Sequence, residues 1–176
     1  MKSSKEFIIR NAKEEEFSKI GKLLVEVYAN LQGFPTPDEQ PKYYEMLSGI
    51  GEFSRKPAAR LLVAVESADE KIAGAVVYFG DMKYYGSGGI ATKEANCAGF
   101  RLLGVDAAFR GCGVGKKLSI ACIELAEKEG ADQLIIHTTE AMKTAWTMYE
   151  KLGFERSIDL DFLQQGLSVY GFRLRL

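Results

Sequence analysis

A chain of 176 residues, 47% of them hydrophobic, is long enough to bury a proper core and fits one domain spanning residues 1–176. Its formal net charge of −1 provides no overall basic field of the kind that attracts nucleic acid or an anionic membrane, so neither is expected as a partner. Cys97, Cys112 and Cys122 show no C-x-x-C spacing, the N-terminus M-K-S-S-K-E is polar, and no apolar run approaches the ~20 residues that span a bilayer. A cytoplasmic location with reduced thiols is expected, and no metal site.

Phe7 to Arg10 reads as an opening strand, with Asn11 as a helix N-cap before Glu14, Glu15 and Glu16. Phe17, Ile20, Leu24, Val27, Tyr28 and Leu31 recur at helical spacing and define a buried stripe. The run G-F-P-T-P-D-E-Q-P, residues 33–41, breaks that pattern, and Lys42 to Phe53 reads as a second, short helix. R-L-L-V-A-V-E at 60–66 and K-I-A-G-A-V-V-Y-F at 71–79, joined by a polar turn, predict a β-hairpin. Residues 81–98 are ambiguous between loop and irregular strand, and G-F-R-L-L-G-V at 99–105 is the next strand. A helix from Val114 to Glu129 stops at Gly130, a strand covers 133–138, and a further helix covers about 141–152 before Gly153. The tail holds two strand-like runs around Gln165-Gly166. The order β-α-α-β-β-β-α-β-α-β-β predicts an α/β fold with a sheet mixing parallel and antiparallel pairs.

The most informative stretch is F-R-G-C-G-V-G-K-K-L, residues 109–118. Glycines at 111, 113 and 115 permit tight turns whose N–H groups converge on one anion, and the helix immediately after them adds its positive dipole end. A phosphate-bearing ligand is therefore expected at Arg110 to Lys116. A Walker A loop would need a glycine where Arg110 stands and a hydroxyl where Lys117 stands. A dinucleotide fingerprint would need its third glycine at Lys116 or Leu118, so both nucleotide patterns fail.

R-x-x-G-x-G does fit, at Arg110, Gly113 and Gly115. Downstream, A-W-T-M-Y-E-K-L-G-F at 145–154 supplies a tyrosine followed by G-F, one helix, one strand and one helix further on. In these two segments the chain resembles the GNAT superfamily of N-acetyltransferases. The resemblance implies the GNAT fold, with helices on both faces of the mixed sheet and a splayed strand that binds CoA. It also implies an acetyl-CoA-dependent enzyme that passes acetyl to a primary amine of a small molecule or protein by direct attack in a ternary complex. The alternative is a non-catalytic acyl-CoA-binding or interaction module.

By resemblance, the pyrophosphate of acetyl-CoA lies on Arg110, Gly111, Cys112, Gly113, Val114, Gly115 and Lys116. The backbone of Leu103, Gly104 and Val105 takes the pantetheine arm and thioester carbonyl, and Tyr149 protonates the leaving thiolate. The spacing of Tyr149 from Ala145 and Leu152 equally fits a core aromatic on a buried stripe. Family members often carry asparagine where Lys143 stands; this lysine either faces solvent or approaches the phosphates. Glu94 and Glu66 are candidates for the base, though either reads as a solvated charge, and His137 reads as a hydrogen-bonded structural histidine. Substrate recognition is expected from residues 28–46 and 81–96, with Tyr28, Phe34, Tyr43, Tyr44, Tyr84 and Tyr85. The alternating C-terminal strand is suited to pairing in a homodimer.

Overall fold

A computed structural model describes residues 4–86 and 88–176. The predicted hairpin forms: β2 (Ala59–Glu66) and β3 (Ile72–Phe79) pair antiparallel, and every residue of β3 is buried, which places this apolar strand inside the sheet. β1 (Phe7–Asn11) lies against β2, and β4 (Cys97–Val105) lies on the far side of β3. β5 (Gln133–Thr138) runs parallel to β4, and β8 (Leu167–Arg175) returns antiparallel beside β5. The short β6 (Glu155–Arg156) and β7 (Phe162–Gln164) pair with β8 as well. The sheet order is β1-β2-β3-β4-β5-β8-β6 with β7 also on β8, a mixed and mostly antiparallel sheet. Within the one chain β8 thus has strand neighbours on both sides.

Helices cover both faces because each carries one apolar stripe. α1 (Phe17–Ala29) buries Ile20, Leu24 and Tyr28 on one face, joined by Tyr44 and Leu47 of α2 (Pro41–Ser48). α3 (Val114–Lys128) buries Val114, Leu118, Cys122 and Ala126 on the opposite face, where α4 (Lys143–Lys151) adds Tyr149. A fully buried leucine such as Leu118 contributes about 2–3 kcal/mol. Among the described residues no helix is long and apolar enough to cross a membrane.

Several boundaries differ from expectation, each for a local reason. Asn11 is not a cap: it ends β1, paired with Leu62, and the Glu16 carboxylate instead accepts the Lys13 backbone N–H at 2.8 Å. That carboxylate also pairs with Arg10 at 2.6 Å. The helix expected to reach Phe53 stops at Ser48 and continues as a 3₁₀ turn, Ile50–Arg55. Leu31 lies beyond the end of α1 rather than on its stripe. The ambiguous 81–98 segment contains two 3₁₀ turns, Met82–Tyr84 and Ala91–Lys93, before β4 begins at Cys97, two residues earlier than expected.

Two irregularities in β4 open the sheet at its centre. Its parallel pairing with β5 extends only from Cys97↔Gln133 to Gly99↔Ile135, although the strands run on to Val105 and Thr138. They part beyond Gly99. β4 also bulges against β3: Val77 pairs with Arg101 and Ala75 with Gly104, and Leu102 adopts φ of 61°. The extra residue turns Leu102 toward the α1 face and Leu103 and Val105 toward the α3 face.

The crossing of α1 and α2 sets the wall over this opening, and Gly21 permits it, since a Cβ there would overlap the Ser48 carbonyl of α2. Gly21→Ala is expected to destabilise the fold by about 1–3 kcal/mol, read as a lowered midpoint in urea. An unchanged midpoint would show that the crossing is not close-packed.

Candidate functional site

The parting of β4 from β5 opens a cleft of about 740 Å³, lined by β4 from Phe100 to Val105, the 109–116 loop, the end of β5 and α4. At one end sits the glycine loop. Gly111 and Gly113 adopt φ of 76° and 80°, the left-handed region that disfavours a side chain, while a Cβ at either would meet nothing within 4 Å. These glycines serve the turn's shape and not its crowding. The Arg110 and Cys112 amides are consumed by the turn itself, bonding the carbonyls of Ala107 at 3.4 Å and Phe109 at 3.2 Å. Those of Gly111, Gly113, Val114, Gly115 and Lys116 donate to no protein group among the described residues. Free amides at the head of α3 are an arrangement suited to an anion, and Arg110, Lys116 and Lys143 are on the same lining. Cys112 departs from expectation: its side chain is not in the lining and packs half-buried against the α3 core.

The three β4 residues also divide. The Asp106 N–H bonds the Ala73 carbonyl on the β3 side at 2.8 Å, and Gly104 pairs with Ala75 on that side too. By strand alternation the backbone groups of Leu103 and Val105 face the opening. The Tyr28 hydroxyl donates to the Leu103 carbonyl at 3.0 Å, as that orientation requires. Gly104 approaches α1 instead, where a Cβ would lie 2.5 Å from Leu24.

Tyr149 is both things its spacing allows. It is 5% exposed, with its ring edge-on to Phe100 and Phe154, and it lines the cleft. Burial pushes its phenol well above the ordinary tyrosine range, so it holds its proton at neutral pH. Among the described residues none hydrogen-bonds its hydroxyl.

His137 is the structural histidine expected. Its Nε2 lies 2.9 Å from the Leu160 carbonyl, which only accepts, so Nε2 carries the proton. Nδ1 then accepts from the Tyr85 hydroxyl at 2.8 Å. Desolvation lowers its pKa to about 4 and keeps it neutral. Neither carboxylate considered as a base is in the cleft lining. Glu94 accepts from Arg173 at 3.1 Å and Gln133 at 3.3 Å in a second depression, and Glu66 pairs with Lys5 at 3.5 Å.

Two lining residues escape the sequence reading. Thr139 buries a hydroxyl with no hydrogen-bond partner, and nothing in its local sequence signals that. Arg101 does leave a signal, a charge inside the apolar strand C-A-G-F-R-L-L-G-V.

The family model for the acetyltransferase (GNAT) family matches residues 17–154. The chain belongs to that family. This GNAT chain is thus a member of an enzyme family named for moving acetyl groups. Its fold is similar to that of an acetyltransferase of the GNAT family from Staphylococcus aureus Mu50, with a TM-score of 0.74 and 16% identity over 97% of this chain and 99% of that one. It is also similar to yncA, a putative acetyltransferase from Salmonella typhimurium solved with its cofactor acetyl-CoA, at a TM-score of 0.68, 16% identity, 97% of this chain and 94% of that one. A mycothiol acetyltransferase from Thermobispora bispora is 38% identical over 55 residues, 31% of this chain and 19% of that protein. The GNAT chain therefore spans well under two thirds of this curated relative.

The histidine gives a pH prediction with a defined sign. Its pKa falls from 6.5 unfolded to about 4 folded, so between those values the unfolded chain binds the extra proton. Stability is fully present above pH 6.5 and is lost as pH falls toward 4, by on the order of 3 kcal/mol from this group. His137→Gln is expected to flatten the dependence of unfolding free energy on pH between 7 and 5. An equal slope in both proteins would contradict the buried neutral imidazole.

Proposed function

We propose that this GNAT chain, acting as one domain, transfers acetyl from acetyl-CoA to a primary amine by direct attack in a ternary complex. The observation that carries the reading is the set of undonated amides at Gly111 and Gly113 to Lys116, opening onto the same cleft as the unpaired edge of β4 and the Tyr149 hydroxyl. Bound acetyl-CoA would supply an acetyl thioester, electrophilic at its carbonyl carbon.

The residues divide the work. The cradle amides hold the pyrophosphate, with Arg110 and Lys116 adding charge and Lys143 within reach from α4. The backbone of Leu103 and Val105 pairs with the pantetheine arm as a missing strand would, and an amide aimed at the thioester oxygen lowers the barrier by ~3 kcal/mol. Thr139 offers its unpartnered hydroxyl to the same ligand. Tyr149 donates a hydrogen bond to the departing sulfur, a role its raised pKa favours over that of base. The nitrogen–carbon bond forms as the carbon–sulfur bond breaks; sulfur takes its proton from Tyr149, and the phenol regains one from the water that receives the proton lost by nitrogen. With no carboxylate among the described lining residues and His137 committed on both nitrogens, the amine passes its proton to water.

Thiol release from acetyl-CoA against a panel of amines tests the reading, alongside calorimetry of CoA binding. Turnover with any amine supports it. Tight binding without turnover across a broad panel favours the non-catalytic module. Tyr149→Phe is expected to lower kcat about 100-fold or more while KM for acetyl-CoA holds, because packing survives loss of the hydroxyl and proton donation does not. Wild-type turnover in that variant would remove Tyr149 from the chemistry. Gly113→Ala forces a side chain into the left-handed region at about 1–2 kcal/mol and is expected to weaken CoA binding about tenfold. Unchanged affinity would remove the cradle from the donor site.

A further inference from the structure

Arg101 takes no part in the work just assigned. The β4 bulge holds it, with Leu102, on the α1 side of the sheet, opposite to Leu103 and Val105. It stands four residues before Val105, about 13 Å along a strand, so the phosphate cradle beyond Val105 is out of its reach. The residue is half-buried and belongs to the cleft lining. One nitrogen donates to the Tyr85 carbonyl at 2.8 Å, and the guanidinium lies 5.6 Å from the Tyr85 ring centre.

No carboxylate pairs with it among the described residues. Arg10, Arg156 and Arg173 each have an acidic partner within 3.1 Å. Around Arg101 the described cleft lining contains no aspartate or glutamate at all. Arg101 thus has one protein acceptor, the Tyr85 carbonyl, and no counter-ion among the described residues. Its remaining N–H donors are not sealed off, since the one buried unpartnered side-chain polar atom among the described residues belongs to Thr139.

The neighbours define what else the site would accept. Tyr28, Phe34 and Tyr43 form a cluster with ring centres 5.4 to 6.0 Å apart, and Phe162 packs on His137 at 5.2 Å. Three polar groups on this side are already committed: Tyr28 to Leu103, Tyr85 to His137, and His137 to Leu160. An arginine fork in such a wall matches a carboxylate, with charge-assisted and paired hydrogen bonds.

We propose that Arg101 binds a carboxylate on the acceptor, so that the acetylated amine belongs to a small amino acid with an apolar or aromatic body. This rests on the acetyl-transfer reading and names its substrate class. A peptide N-terminus has an amide where the free amino acid has its carboxylate, and so lacks the group that Arg101 would hold.

The test compares kcat/KM for phenylalanine, phenylalaninamide and 2-phenylethylamine, and for methionine, methioninamide and 3-(methylthio)propylamine, by thiol release from acetyl-CoA. The free acids are expected to exceed both counterparts at least tenfold. Arg101→Gln is expected to erase that preference by raising KM for the acid, with KM for acetyl-CoA unmoved. Amides or decarboxylated amines accepted as well as the acids by the wild-type protein would overturn the assignment, and this comparison stands even where the variant fails to fold. A preference that survives Arg101→Gln would also overturn it. Turnover confined to amines outside both series would overturn the acceptor class and leave acetyl transfer intact, whereas no turnover with any amine would bring down both.

Discussion

The site depends on a hydrogen-bonding ladder that stops. β4 and β5 pair through Gly99 and Ile135 and then part, while β8 keeps its grip on β5 up to Thr138 and β3 keeps its grip on β4 up to Val105. Each strand is therefore held rigid on its outer side and left open on its inner side. Backbone donors and acceptors facing such an opening need partners. At Leu103 the Tyr28 hydroxyl supplies one, and the remaining groups facing the gap are available to a ligand that runs along it.

The bulge at Arg101–Leu102 gives the opening two chemically distinct sides. It turns Leu103 and Val105 toward α3 and α4, where the cradle amides, Lys143 and Tyr149 are gathered. It turns Arg101 toward α1, where the tyrosine and phenylalanine wall lies. Under the proposed reading, donor and acceptor would approach one strand from opposite faces. His137, which alternation points into this region, is neutralised by burial and bonded at both nitrogens, so it shapes the wall without titrating near neutral pH.

Much of this was legible in the sequence because it rests on local rules. The β2–β3 hairpin, the α3 stripe and the Gly111–Gly115 spacing come from period, turn chemistry and the absence of a Cβ. What was not legible depends on pairing between distant segments. Asn11 has the chemistry of a cap, but Leu62 claims its backbone for the sheet. Gly104, grouped with Leu103 and Val105 by resemblance, is crowded by Leu24 of α1, and the strand's irregularity falls two residues earlier at Leu102. Cys112 sits in the loop sequence but packs half-buried against the α3 core, and the consumed amides of Arg110 and Cys112 emerge only once the turn is folded. Glu94 lies just before β4 in sequence but is drawn off by Arg173, which arrives from β8.

Amide hydrogen exchange, measured residue by residue with and without CoA, tests most directly whether the parted strands and the cradle hold the donor. Slowed exchange is expected on CoA addition at Val105, Gly111 and Gly113 to Lys116, with little change at Arg110 and Cys112, whose amides are already bonded within the turn. Protection absent from these cradle amides, or found instead on a face remote from the β4–β5 opening, would contradict that placement of the donor.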